Sequence, residues 1–231
     1  MNGRKKVILL KTALLFIFSL VVLVPLAILI LNSLKTREEA LIMSLKPPRI
    51  FHFENYTLVI RRGGIIRAFV NSMVIASISA VIGIMVSAMG TFVLRRRRIV
   101  LFRAIYTYIF IGLMVPINYV STMLVYKTVG LLNTYTGIIL LNAAMGVPFA
   151  VFLYYGFVDS IPRELDEAAL IDGASPLQLF FTVIFPLLKP ATMTAGVLNF
   201  IGAWNDFVTP LYMLSRRSMW PMVLSIYNFF G

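Results

Sequence analysis

Long apolar runs alternate along this chain with short polar connections, and the runs exceed what a strand or a core helix of a soluble domain needs. The first covers residues 12–31. The second, 68–94, has no charged residue and stops at Arg95, Arg96, Arg97 and Arg98. The third and fourth, 104–126 and 131–158, each carry a proline in mid-run, Pro116 and Pro148, which is expected to kink a helix where neighbours can satisfy the freed carbonyl. A fifth, 190–214, is interrupted only by Asp206. Each run is about the length that crosses a bilayer as a helix. The pattern therefore predicts an all-α polytopic membrane bundle with five visible spans, formed as one domain over residues 1–231. After Arg216 and Arg217 the remaining tail is apolar but too short to cross.

Composition supports a lipid environment. Of the 231 residues, 60% are hydrophobic and only 13% are charged, with a mean hydropathy of +0.91, well outside the soluble range. The net charge of +12 sits mainly in loops beside apolar runs, which reads as membrane topology and anionic headgroups; a nucleic-acid partner is not expected. Arg4, Lys5, Lys6 and Lys11 before the first run place the N-terminus in the cytoplasm, with no signal-peptide cleavage site evident. Crossing once per run then puts both the arginine cluster and residues 159–189 inside. The loop 32–67 counts against this scheme, because it lies outside and yet carries Lys35, Arg37, Lys46, Arg49, Arg61, Arg62 and Arg67. With no cysteine and one histidine, His52, thiolate chemistry and a multi-histidine metal site are excluded.

The polar stretch ELDEAALIDGASPLQLFFTVIFP is out of keeping with the rest. Pro162 opens a helix-forming run with Glu164, Asp166 and Glu167 near its positive end. Asp172-Gly173 supplies a left-handed exit, and Ser175-Pro176 restarts a helix as N-cap and first residue. In that second helix Leu177, Phe180, Phe181 and Ile184 fall on one apolar stripe. Ala168 and Ala169 give the first helix a small-residue face beside the Glu167 carboxylate, suited to a groove on another protein. An amphipathic helix merely resting at the membrane surface is the competing reading.

The order Glu167-Ala168-Ala169, Asp172-Gly173-Ala174, Phe181, Ile184, Pro186 and Pro190 resembles the EAA loop of the permease subunits of binding-protein-dependent ABC importers. So do ENY at 54–56, Asn71-Ser72, Pro116, GLLNT at 130–134 and WND at 204–206, which together are similar to the maltose-type, carbohydrate-uptake branch. The resemblance implies a multi-pass inner-membrane permease that moves a sugar or oligosaccharide by alternating access. It implies a second permease subunit, as a heterodimer, two cytoplasmic ATPase subunits that hold the ATP, and an extracytoplasmic binding protein. No cofactor belongs to this chain itself. Glu164, Glu167, Ala168, Ala169, Asp172 and Gly173 become the ATPase-coupling residues, with Asp172 shaping the bend, while Phe180, Phe181 and Ile184 hold the loop against its own helices. The family plan has six spans, and the sixth is expected to begin after the region matching 221–231, which makes a fragment one open reading.

Other polar positions carry two readings each. Asn199, Trp204, Asn205 and Asp206 suit a translocation path, where an indole stacks on a sugar face and amides bond hydroxyls; for Asp206 a headgroup-level carboxylate is the stronger competing reading. Asn71, Asn118 and Asn142 suit inter-helix hydrogen bonds or solute contacts, and the small residues at 77–79 and 87–90 suit close helix packing. There is no G-x-x-x-x-G-K-[ST] loop, so the chain is not expected to hydrolyse ATP by that route. A permease for a polyol, glycerol phosphate or peptide remains open, as does a membrane-embedded lipid enzyme built around the acidic cluster.

Overall fold

The computed structural model describes residues 3–97 and 99–229; Arg98, the last of the four clustered arginines, and the tail residues Phe230 and Gly231 lie outside the described residues. The chain forms two compact units, residues 1–63 and 64–231. The described residues are helices and connections, without a strand.

The first unit holds α1 (Gly3–Ser33), α2 (Arg37–Ala40) and α3 (Glu54–Gly63). Residues 10–33 of α1 are long and apolar enough to cross a membrane, and within this chain none of that stretch is buried, as for a helix whose solvent is lipid. Its end is tied off by amides and one ammonium. Asn55 Nδ2 donates to the carbonyls of Ser33 and Lys35 at 2.9 and 3.0 Å. Lys35 is only 4% exposed, and its Nζ donates to Asn32 Oδ1, Ser44 O and Ser44 Oγ at 3.0, 2.8 and 3.2 Å. One positive charge that weighed against the topology of loop 32–67 is thus a buried tie within the turn, satisfied by oxygen acceptors.

In the second unit α4 (Ile65–Arg96) and α7 (Tyr135–Ser160) lie together, and α11 (Lys189–Asn205) packs against both. Apart from Asn71 and Ile75, the buried face of α4 is made of small residues: Ala68, Ser72, Ala76, Ser79, Ala80, Gly83, Ser87, Ala88 and Thr91. In lipid, helix association depends on such close backbone approach rather than on expelling water. Ser79 Oγ adds a bond to the Ile139 carbonyl at 3.0 Å.

Two apolar runs are not the single helices expected. Run 104–126 is split into α5 (Val100–Ile111) and α6 (Tyr119–Thr128), because the stretch 112–118 contains Gly112 and Pro116 and then Asn118 caps a new helix: its Oδ1 accepts from Ser121 N at 3.0 Å. Asn118 is therefore a local cap and not an inter-helix bridge. By contrast α7 continues through Pro148 without a break. Run 190–214 is split at Asp206 into α11 and a short helix, α12 (Val208–Met213). By length and composition, 10–33, 65–96 and 135–160 can each cross a membrane, and a strongly bent pair ending at Asn205 can supply a fourth span.

Candidate functional site

The wet stretch begins where α7 ends. Helix α8 (Glu164–Ile171) carries its three acids in the first turn, where they meet unpaired N–H groups. It stops at Asp172, and Gly173 turns the chain with φ +82°. The closing bonds run from Gly173 N to Leu170 O at 3.1 Å and from Ala174 N to Ala169 O at 3.0 Å. Ser175 then caps the next helix in both directions: its Oγ accepts from Gln178 N at 3.4 Å, and Gln178 Oε1 accepts from Ser175 N at 2.8 Å. The helix–bend–helix read from the sequence is the arrangement found.

Beyond α9 (Pro176–Gln178) the helix widens into a π-type stretch, Leu179–Ile184, before α10 (Phe185–Leu187). Pro186 has no N–H to offer and its ring crowds the carbonyl of Thr182, so the preceding turn opens. Phe185 N bonds back to Phe180 O. This widening changes which side chains point inward. Leu179, Phe180, Ile184 and Leu188 are buried against Tyr154, Val158, Ala191 and Ala195, whereas Leu177 and Phe181 are 60% and 44% exposed. Of the expected stripe, Phe180 and Ile184 are buried, Leu177 ahead of the widened stretch is exposed, and Phe181 touches the Phe180 and Phe185 rings edge-on while its outer side stays open. At Leu188 the chain then bends by 80° into α11. Truncating Phe180 to Ala is expected to cost about 3–5 kcal/mol, with a far smaller loss for Phe181→Ala; melting temperatures of the two variants in one detergent check the contrast.

Five of the six residues proposed from the sequence to meet a partner fall together on the surface of this element. Glu164, Glu167, Ala168, Asp172 and Gly173 are exposed. Ala169 is half-buried and packs against the apolar cluster around Phe180. Beside them stand exposed apolar side chains that sequence reading passed over, Leu170 at 53% and Ile171 at 85%. An Ile that open in the middle of an acidic element is the signal that could have found them.

A second feature lies between α7 and α11. A cavity of about 570 Å³ is lined by Asn142, Met145, Asn199, Asn205 and Asp206 among others. Asn199 is held between two glycines: a Cβ at Gly146 would come 2.6 Å from its Oδ1, and one at Gly83 would come 3.6 Å from its Nδ2. That Nδ2 is buried and has no hydrogen-bond partner among the described residues, an uncommon state for an amide. The structure thus brings Asn199, Asn205 and Asp206 to one cavity and adds Asn142. Trp204 is elsewhere: its ring sits edge-on to Phe69 at 5.6 Å and stacks on Phe200 at 5.7 Å. It is not among the lining residues; five positions on from Asn199, it lies roughly 140° round α11 from that side chain. Asp206 Oδ1 also accepts from Thr209 N at 3.1 Å, so the lone acid in the run caps the helix that restarts after the break. Asn71, the other amide weighed between two roles, bridges elements: Tyr135 Oη donates to its Oδ1, and its Nδ2 donates to Ser218 O and Trp220 O.

Residues 79–230 match the family model described as the inner membrane component of binding-protein-dependent transport systems. The chain is 34% identical over 212 residues to the melibiose/raffinose/stachyose import permease protein of Bacillus subtilis, covering 90% of this chain and 76% of that one. It is 33% identical over 210 residues to the diacetylchitobiose uptake system permease protein of Streptomyces coelicolor, covering 90% and 70%. A probable permease protein for starch degradation products from Thermoanaerobacterium thermosulfurigenes is 32% identical over 217 residues, covering 93% and 79%. Among solved structures, a chain of a bacterial ABC transporter involved in import of the acidic polysaccharide alginate superposes with a TM-score of 0.83 at 23% identity, covering 98% of this chain and 80% of that one. That likeness shows a shared fold.

Proposed function

Because the chain belongs to the inner membrane components of binding-protein-dependent transport systems, and so is a multi-pass permease subunit of an ABC importer, we propose that its solute is a sugar or oligosaccharide. Relatives 32–34% identical over nine-tenths of its length are permeases named for such solutes, and that observation carries the reading. The cavity supports it. Amides at Asn142, Asn199 and Asn205 offer donors and acceptors of the kind that bond sugar hydroxyls, and the Asn199 amide nitrogen has no protein partner to give up among the described residues. Asp206 belongs to the same wall, while Trp204 is left out of the path.

In this reading the chain pairs with a second, related permease as a heterodimer, and an extracytoplasmic binding protein delivers the solute. Two ATPase subunits bind and hydrolyse the ATP, and no cofactor is assigned to this chain. Glu164, Glu167, Ala168, Ala169, Asp172 and Gly173 form the element that docks on the ATPase, with Leu170 and Ile171 as its apolar contacts. An exposed acidic helix with a small-residue face, anchored through Phe180 and Ile184 to the membrane helices, suits a groove in a soluble partner. The N-terminus and this element lie on the cytoplasmic side. Closure of the ATPases shifts α8, and the attached helices open the path first outward and then inward.

The test is uptake into proteoliposomes holding the complete transporter. Labelled oligosaccharides are expected to accumulate only with both ATP and the binding protein present. Accumulation of a polyol, glycerol phosphate or a peptide in their place would overturn the solute assignment and leave the importer standing.

A further inference from the structure

The C-terminal turn of α4 presents two neighbouring arginines that reach different elements. The Arg95 guanidinium lies 4.8 Å over the Tyr155 ring and pairs with Asp159 at 2.5 Å, both on the last turns of α7. The Arg96 guanidinium leaves α4 about 100° further round and reaches the C-terminal end of α7 and the start of α8. Its Nη1 donates to Ile161 O and its Nη2 to Asp166 Oδ1, each at 3.1 Å. Its Nε lies 2.7 Å from Asp166 Oδ2, poorly aligned for a hydrogen bond but a close ion-pair contact. The two side chains are 13% and 14% exposed, so this pair is largely desolvated, whereas Asp159 is 58% exposed. Asp166 sits in the first turn of α8, next to Glu167.

We propose that Arg96 and Asp166 are the link through which α8 displaces α4, and that this pair sets how much solute moves for each ATP consumed. The proposal rests on α8 being the element that docks on the ATPase. Three observations favour a transmitting role over simple anchoring. The other hold between this element and α4 is apolar: Ala169 packs on the Phe180 cluster, and Phe180 meets Phe92 with ring centroids 5.8 Å apart. Apolar contacts are non-directional and can slide. A fork-shaped guanidinium gripping a carboxylate in a low-dielectric setting is directional, and it transmits a pull as well as a push. Second, α4 is an unbroken helix of 32 residues. A displacement at Arg96 is carried about 20 Å along it to Gly83, taking 1.5 Å per residue, and Gly83 flanks Asn199 at the cavity wall. Third, Arg96 also holds the Ile161 carbonyl at the end of α7, so the same guanidinium senses α8 relative to the helix on the other side of that cavity.

The experiment uses the complete transporter in proteoliposomes, with Asp166→Asn, Arg96→Gln, the double variant, and Asp159→Asn as the control that opens only the neighbouring pair. ATPase retention on purification, ATP hydrolysis and solute uptake are measured on each. Asp166→Asn is expected to keep the ATPase bound and hydrolysis running while uptake per ATP falls roughly 10-fold or more. The double variant is expected to be no worse than either single one, because all three lack the same link, and Asp159→Asn to keep the native ratio. Should Arg96→Gln fail to accumulate, Arg96→Lys, which keeps the charge and loses the fork, replaces it. An unchanged ratio in Asp166→Asn overturns the proposal. So does loss of the ATPase from Asp166→Asn alone, which would make the pair a shaper of the docking surface. If the native chain itself retains no ATPase, the docking assignment has failed, and this link falls with it.

Discussion

Gly173→Val is expected to release the ATPase subunit from the purified importer, whereas Gly173→Asn is expected to retain it. The reason is backbone conformation and not space. Gly173 sits at φ +82°, and a Cβ built there meets nothing within 4 Å. A β-branched side chain therefore fits sterically against its surroundings but strains its own backbone by roughly 1–2 kcal/mol or more, while asparagine tolerates the left-handed region. The strain is relieved by unwinding the bend, which separates α8 from the capped turn at Ser175 and misplaces Glu167, Ala168 and Ile171 together. Glu167→Lys should release the partner by a different route, leaving the bend intact and reversing the charge offered to the partner, a change on the order of 2–5 kcal/mol when such a pair is buried in an interface. Since each 1.4 kcal/mol is about tenfold in affinity, both variants should lose most of the ATPase on a column that the native chain survives. Equal retention by Gly173→Val and Gly173→Asn would show that the bend is not what the partner reads.

The second large effect is expected at Gly146. Its Cβ would lie 2.6 Å from Asn199 Oδ1 and 2.9 Å from Asn199 Cγ, closer than two nonbonded atoms can sit. Gly146→Ala must therefore push Asn199 off its position or spread α7 from α11, at about 1–3 kcal/mol for overpacking. At roughly 2–4 °C per kcal/mol for a protein of this size, melting in detergent should drop by several degrees, and uptake should fall with it because Asn199 is on the cavity wall. The same geometry predicts a rescue. Asn199→Ala removes the atoms that clash, so in the Gly146→Ala background it should recover stability that it loses by itself, a coupling that marks direct contact. Strictly additive losses in the double variant would refute the contact.

Much of this molecule could be read from the order of its residues. Residues 12–31, 68–94 and 131–158 became long helices because an apolar run in lipid has no other way to satisfy its backbone. The bend at Asp172-Gly173 and the restart at Ser175-Pro176 appeared where the local chemistry put them, because caps and left-handed glycines act over three or four residues and depend on little else. The family likeness was legible for the same reason: its marks at Glu167, Gly173 and Pro186 are local and ordered.

What the sequence could not decide was which face of each element turns inward. Phe181 and Leu177 were expected in one covered stripe with Phe180, yet Leu177 is exposed and Phe181 only sets its ring edge-on to Phe180 at 5.1 Å with its outer side open, and no periodicity reveals where a helix changes its period. Trp204, a natural sugar platform on paper, is claimed by Phe69 and Phe200, whereas Asn142, distant in sequence from Asn199, shares its cavity. Asp166 looked like one more solvated acid of α8 until α4 brought Arg96 against it across 70 residues. Helix existence, caps and bends are set by interactions among near neighbours, which a chain carries wherever it goes. Burial, cavity walls and ion pairs depend on contacts between residues far apart along the chain, and these exist only once α4, α7 and α11 have packed.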